Sequence, residues 1–230
     1  MKTKYLLLLI SFIFLIAACS EHKTKTHHEE SKKQHVTHSA NDYMHQSSTD
    51  ELIERFESPE RDAYQKPEKV LEYLGDVKNK RIIDIGAGSG YFSVKLAEKG
   101  ANVIAADVSD EFQNALKKRI EDYKIKNIEL RKIPYDSPNL KDEEVDMVLI
   151  VNTYHHIENR SAYFSEVKAG TKVDGELIII DFFKIEVPVG PPTDHKISID
   201  KVIAELKEAG YGKFNVNVDL LPYQYMIKAM

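Results

Sequence analysis

The 230-residue chain has no tryptophan and one cysteine, Cys19. A lone thiol cannot close an intramolecular bridge, so a disulfide-stapled fold is excluded and stability must come from a buried core. Long apolar runs are scarce too: the longest, residues 5–18, falls short of the roughly 20 residues that a transmembrane helix needs. Excess positive charge is also missing, because 32 Lys and Arg stand against 37 Asp and Glu for a formal net charge of −5. That balance argues against nucleic acid as a partner, since such binding is dominated by cations neutralising phosphates. Basic runs such as residues 117–119 then read as solvated helix faces. With 42% hydrophobic and 30% charged residues, the chain is of a size and composition for one α/β domain plus an appendage.

What is present centres on residues 81–92, RIIDIGAGSGYF. An apolar run broken only by Asp84 predicts a buried parallel strand; it gives way to Gly86, Gly88 and Gly90 before an amphipathic helix begins at Tyr91. Glycines permit positive φ and close approach of the backbone to a ligand, and the helix start beyond offers free N–H groups to polar or anionic atoms. Residues 102–106 predict a second strand that ends in Asp107, where a carboxylate can accept hydrogen bonds from both hydroxyls of a ribose. Turn and acid together point to an adenosine-containing cofactor. The spacing is G-x-G-x-G, not the G-x-G-x-x-G of dinucleotide sites, and Asp84 stands two residues before the first glycine.

At these residues the sequence resembles the class I S-adenosylmethionine-dependent methyltransferases, whose first motif reads D-x-G-x-G-x-G and whose second strand ends in a ribose-binding acid. The resemblance covers roughly residues 52–230. It implies an α/β fold, a Rossmann-like, doubly wound, seven-stranded and mostly parallel sheet with a C-terminal antiparallel hairpin, and S-adenosyl-L-methionine as cofactor. Carried onto this chain, it implies cofactor contacts from Asp84, Gly86, Ala87, Gly88, Gly90, Asp107, Val108 and Asn152. It also implies one from Asp136, in the loop IPYDSPNL, near the adenine amino group; Asp-Ser-Pro is equally a plain turn signal. The stretch PERDAYQKP resembles a region just upstream of the first motif in a subgroup of bacterial methyltransferases. Arg61, Tyr64 and Gln65 are therefore candidate pocket residues, with capping and surface ion pairs as the other account of their polarity.

The remaining periodicities predict a helix opening at Pro67, a helix over 110–123, strands over 128–132 and 145–151, and a helix over 160–173. A turn at Asp174 and Gly175, a strand over 176–183, a helix over 198–209 and an antiparallel pair over 214–220 and 223–229 complete the chain. The central strand at 145–151 runs into NTYHHIENR, and the carboxyl ends of such strands are where open parallel sheets bind ligands. Methyl transfer from a sulfonium mainly requires alignment and, for a protonated acceptor, loss of a proton. His155 and His156 are the candidate catalytic bases, with a scaffold role as the alternative. Tyr154 reads as core packing rather than a cofactor contact. The amino-methylating DNA enzymes carry an Asn/Asp-Pro-Pro-aromatic run here and this chain does not, which disfavours a nucleobase acceptor. The Pro-rich loop 187–197, with Asp194 and His195, is expected on the acceptor side of the site.

The N-terminus differs from everything after it. Lys2 and Lys4 precede the apolar segment 5–18, which has the length of a signal-peptide core, and Ile16-Ala17-Ala18-Cys19 resembles a bacterial lipobox. That resemblance implies cleavage before Cys19, its lipidation and a membrane anchor on the extracytoplasmic face, a location in tension with the cytoplasmic supply of S-adenosylmethionine. Residues 20–50 are polar, without apolar periodicity, and hold six of the nine histidines. Their spacing matches no defined metal site, so the reading is a hydrophilic spacer with no metal. The expected organisation is a lipoprotein signal peptide at 1–18, a flexible tether at 19–50, a helical cap at 51–75 and a methyltransferase domain at 76–230. The expected activity is methyl transfer to a small-molecule acceptor, with no protein partner called for. The competing readings are a lipid-tethered, non-catalytic binding protein on the same fold and an NAD-dependent oxidoreductase.

Overall fold

The structure, a computed structural model, describes Asn41 and residues 47–230. The expected signal peptide, Cys19 and nearly all of the expected tether lie outside the described residues. Ser48 opens helix α1 (Thr49–Phe56) with a capping box: its side chain accepts from the Glu51 N–H, and the Glu51 carboxylate accepts from the Ser48 N–H. Two orphan donors are satisfied at once, which starts the helix two residues earlier than the apolar spacing suggests. Helices α2 (Pro59–Gln65) and α3 (Pro67–Leu74) each begin with proline at a first-turn position, where no N–H is needed. Lys66 joins them in a left-handed conformation.

Strand β1 (Arg81–Ile85) leads through the glycine turn into α4 (Tyr91–Glu98), and β2 (Asn102–Asp107) leads into α5 (Asp110–Tyr123). Then come β3 (Ile128–Lys132), β4 (Val145–Val151), a 3₁₀ turn at Tyr154–His156, α6 (Arg160–Gly170), β5 (Thr171–Phe182), a second 3₁₀ turn at Thr193–His195 and α7 (Ile199–Glu208). Strands β6 (Phe214–Asn217) and β7 (Gln224–Ala229) end the chain. The sheet has the order β3-β2-β1-β4-β5-β7-β6; the first five strands pair in parallel, and β7 pairs antiparallel with both β5 and β6.

Alternation along the strands divides the core into two layers. Ile83, Ile150 and Ile179 face α6 and α7 through Phe164, Val167 and Leu206. Ile82, Leu149 and Ile180 face the other way with α3 and α4, through Val70, Leu71 and Phe92. Each such side chain, fully buried, contributes about 1.5–3 kcal/mol. Two boundaries differ from those read in the sequence. Helix α6 stops at Gly170, packed against Leu140, and β5 begins at Thr171, whose hydroxyl donates to the Val167 carbonyl at 2.7 Å. Val145 pairs with Thr171 and Met147 with Glu176, so a bulge absorbs the residues expected to form a turn. Strand β6 ends at Asn217, whose side-chain oxygen accepts from the Asp219 and Leu220 N–H groups and turns the chain early.

Candidate functional site

Parallel pairing brings the carboxyl ends of β1, β2 and β4 side by side, and the site is built there. Gly86, Gly88 and Gly90 all have positive φ. At Gly86 and Gly90 glycine is also required sterically, because a Cβ would fall onto Thr153 and Leu116 respectively. The Gly86 and Ala87 N–H groups both donate to the Ala106 carbonyl, at 2.9 and 3.0 Å, which locks the turn to the end of β2.

Asp107 is 6% exposed. One carboxylate oxygen accepts from the Gly88 N–H at 2.8 Å and the other from the Ser109 N–H at 2.9 Å. Burial raises its pKa, while those backbone bonds hold it down. Each oxygen keeps a lone pair for a further donor. Val108 follows, half-buried, and Asp136 is exposed on the loop after β3, at the same edge of the sheet.

Asp84 is buried and accepts a hydrogen bond from the Ser93 hydroxyl at 2.7 Å; burial pushes its pKa up to about 6 against that bond. Arg61 lies close enough to act on it. The Arg61 guanidinium stands 3.9 Å from the centre of the Tyr91 ring and donates to the Phe56 carbonyl, while its Nε is buried with no hydrogen-bond partner among the described residues. A half-buried cation with a buried, unused donor is a complement for an anionic group. Helices α1 and α2 cover the turn: Phe56 lies over Gly88 and stacks on Phe112, and Glu57 accepts from the Ser89 hydroxyl and pairs with Arg119.

Beside β4 the geometry separates the two histidines. His155 is buried, and its Nδ1 lies 2.9 Å from both oxygens of Asp181, which is fully buried. Asp181 also accepts from the His155 and Phe182 backbone N–H groups. A carboxylate so placed fixes Nδ1 as the protonated nitrogen and leaves Nε2 basic. His156 is half-buried, packs on His155 with ring centres 4.3 Å apart and the rings tilted by 39°, and contacts Asn41 through Nδ1 at 3.0 Å. Tyr154 is core: it stacks on Phe164, and its hydroxyl donates to Glu205, which Arg160 also holds.

Asn152 has a φ of 57°, and its amide meets Gln65 from α2 and Gln224 from β7. Tyr64 packs on Phe182 and Tyr223 next to them. The loop after β5 is clasped by Lys196 Nζ on the Ile185 carbonyl and Lys184 Nζ on the Lys196 carbonyl, with Asp194 exposed on it. Asp181 and Gln224 are candidate site residues that the sequence did not point to. Asp181 carries a signal, an acid inside the apolar run LIIIDFF; Gln224 has none.

Comparison with known proteins agrees with this geometry. A methyltransferase-domain family model matches residues 83–179. An uncharacterized methyltransferase of Staphylococcus carnosus is 27% identical over 123 residues, 53% of this chain and 56% of that protein. The ubiquinone biosynthesis O-methyltransferase of Acinetobacter baylyi is 25% identical over 109 residues, 46% of this chain and 45% of that protein. The chain thus spans about half the length of the curated relatives it matches. A crystal structure of a SAM-dependent methyltransferase from Aquifex aeolicus superposes with a TM-score of 0.72 at 28% identity, covering 80% of this chain and 98% of that one. Sheet order, glycine turn and these matches together show the class I methyltransferase fold, with residues 83–179 matching a methyltransferase-domain family whose methyl donor is S-adenosylmethionine.

Proposed function

We propose that this protein transfers a methyl group from S-adenosylmethionine to a small-molecule acceptor, at the carboxyl ends of β1, β4 and β5. The observation that carries the reading is the pairing of a glycine turn with a hydrogen-bonded acid, Asp107, beside a buried Arg61 Nε that lacks a partner. These groups fit the cofactor's chemistry: Asp107 suits the ribose hydroxyls, the Gly86–Gly90 turn suits close approach of the cofactor, and Arg61 with Asp84 suits a zwitterionic amino-acid end. Val108 and Asp136 would flank the adenine.

Bound there, the cofactor supplies a methyl group already activated on a sulfonium for in-line displacement. The chain's own residues do the rest. The α2 helix and the β4 end hold the two reactants in line, and covering helices keep water away from them. As the acceptor's oxygen or nitrogen gains the methyl group, its proton passes to His155 Nε2, while Asp181 stabilises the resulting imidazolium through Nδ1. His156 serves as a positioning residue, through its packing on His155.

Calorimetric titration with S-adenosylmethionine, S-adenosylhomocysteine and NAD tests the reading. Both adenosyl compounds are expected to bind and NAD is not. Asp107→Ala should weaken S-adenosylhomocysteine by about 1.5–3 kcal/mol, the range for hydrogen bonds to a charged group. An unchanged dissociation constant in a folded variant removes Asp107 from the site.

A further inference from the structure

Three side-chain amides meet where β4, β5 and β7 come together. Asn152 Nδ2 donates to Gln65 Oε1 at 3.3 Å, and Gln224 Nε2 donates to Asn152 Oδ1 at 2.5 Å and faces Gln65 Oε1 at 3.5 Å. Gln65 and Gln224 are fully buried. Donation runs along the set in one direction, so the ends are left over: Gln65 Nε2 and Gln224 Oε1 are buried with no hydrogen-bond partner among the described residues. Reversing all three amides would reverse the direction and still leave one donor and one hydrogen-bond acceptor. Buried polar groups are nearly always satisfied, and an orphan donor beside an orphan acceptor is a pattern that a ligand can complete.

The position of the cluster narrows the ligand. Gln224 pairs across the ladder with Phe182, at the end of β5, whereas the glycine turn and Asp107 lie on the far side of β4. By alternation Asn152 would point to the same face as Ile150; its left-handed backbone instead turns the amide to Gln65 and Gln224. The amides therefore sit on the acceptor half of the cleft. Tyr64, Phe182 and Tyr223 form an aromatic wall beside them, with ring centres 6.3 and 6.4 Å apart. Amides are neutral, and among the described residues no carboxylate or cation is hydrogen-bonded to the set. A charged group placed there would be desolvated without a counter-ion.

We propose that Gln65, Asn152 and Gln224 form the recognition subsite for the methyl acceptor, and that it takes an uncharged, flat group presenting a carbonyl oxygen next to an N–H or O–H. Gln65 Nε2 donates to the carbonyl and Gln224 Oε1 accepts from its neighbour. Asn152, expected from the family resemblance as a cofactor contact, belongs to this subsite. The inference rests on the methyltransferase reading above for what the subsite serves.

Three isosteric probes separate the alternatives: benzamide carries donor and acceptor, acetophenone only the acceptor, and benzoate a charge with no donor. They are titrated into the full chain with and without S-adenosylhomocysteine. Benzamide is expected to bind tightest, acetophenone about tenfold weaker and benzoate weakest, because an unmatched buried polar group forfeits roughly that factor. Gln224→Leu should bring benzamide down to the acetophenone level and Gln65→Leu should weaken both, with S-adenosylhomocysteine affinity unchanged in each. Gln65→Met and Gln224→Met serve if the leucine variants fail to fold. Equal binding of benzoate and benzamide, no binding of any probe, or a loss of S-adenosylhomocysteine affinity matching the loss of probe affinity overturns the proposal. If the wild type binds no S-adenosylhomocysteine, the methyltransferase reading fails, and the ranking of probes without it still decides the subsite.

Discussion

Asp84 and His155 show how much chemistry depends on burial. For Asp84 the folded pKa of about 6 lies above its unfolded value. The stability it confers on the free protein is therefore present in full below about pH 4 and lost as pH rises through about 6. Asp84→Asn, which keeps an oxygen for the Ser93 hydroxyl, should be more stable than wild type near pH 7 by on the order of 3 kcal/mol. Thermal melts between about pH 4 and 8 check this: the variant should lose the wild-type decline, and parallel profiles would refute the assignment. At His155 the question is catalysis against scaffold. If Nε2 takes the acceptor's proton, His155→Gln should lower turnover by roughly 10²–10⁴-fold with S-adenosylhomocysteine affinity nearly unchanged. Asp181→Asn should follow it, since only a carboxylate both fixes the tautomer and stabilises the imidazolium. Loss of thermal stability and of cofactor binding together, with residual turnover intact per folded molecule, would assign the pair to the scaffold instead.

Among the elements, those with local signals are legible in the sequence. Helix α5 falls on 110–123 as its periodicity predicts, started by Ser109 accepting from the Phe112 N–H. The strand, glycine turn and α4 are legible for the same reason: each residue's role is set by neighbours within a few positions. What escapes is set by long-range pairing. Gln224 reaches Gln65 across 159 positions, and nothing in QYMIKA marks its first residue as facing a site. The end of α6 escapes because Leu140, on a distant loop, decides where Gly170 packs. The glycine turn gives the sharpest prediction at this scale. Gly86→Ala imposes a φ of 75° on an L-residue and drives its Cβ into Thr153. The backbone strain alone costs about 1–3 kcal/mol, and the displaced Thr153 adjoins the turn that carries His155. A lower melting temperature together with lost S-adenosylhomocysteine binding is expected. Pairing it with Thr153→Ala should recover part of the stability, because the collision is removed and the strained φ remains; no recovery would mean that Thr153 is not the obstacle.

The whole molecule joins a cofactor-dependent domain to an N-terminal segment of a different nature. Among the described residues no helix is long and apolar enough to cross a membrane. Asn41 donates to the His156 carbonyl at 3.3 Å as well as meeting its ring, so this residue touches the turn that carries the candidate base. We propose that Cys19 is the lipidated first residue of the mature chain, because Lys2 and Lys4, an apolar core and Ile-Ala-Ala-Cys occur in the order that processing requires. Metabolic labelling with palmitate should mark the wild type and not Cys19→Ala, and the variant should accumulate as the uncleaved precursor. Fractionation has to accompany the label, since an uncleaved apolar leader can itself hold a protein at a membrane. Wild type found unlabelled and entirely in the soluble fraction would end the lipoprotein reading, and with it the conflict between an extracytoplasmic enzyme and a cofactor made in the cytoplasm.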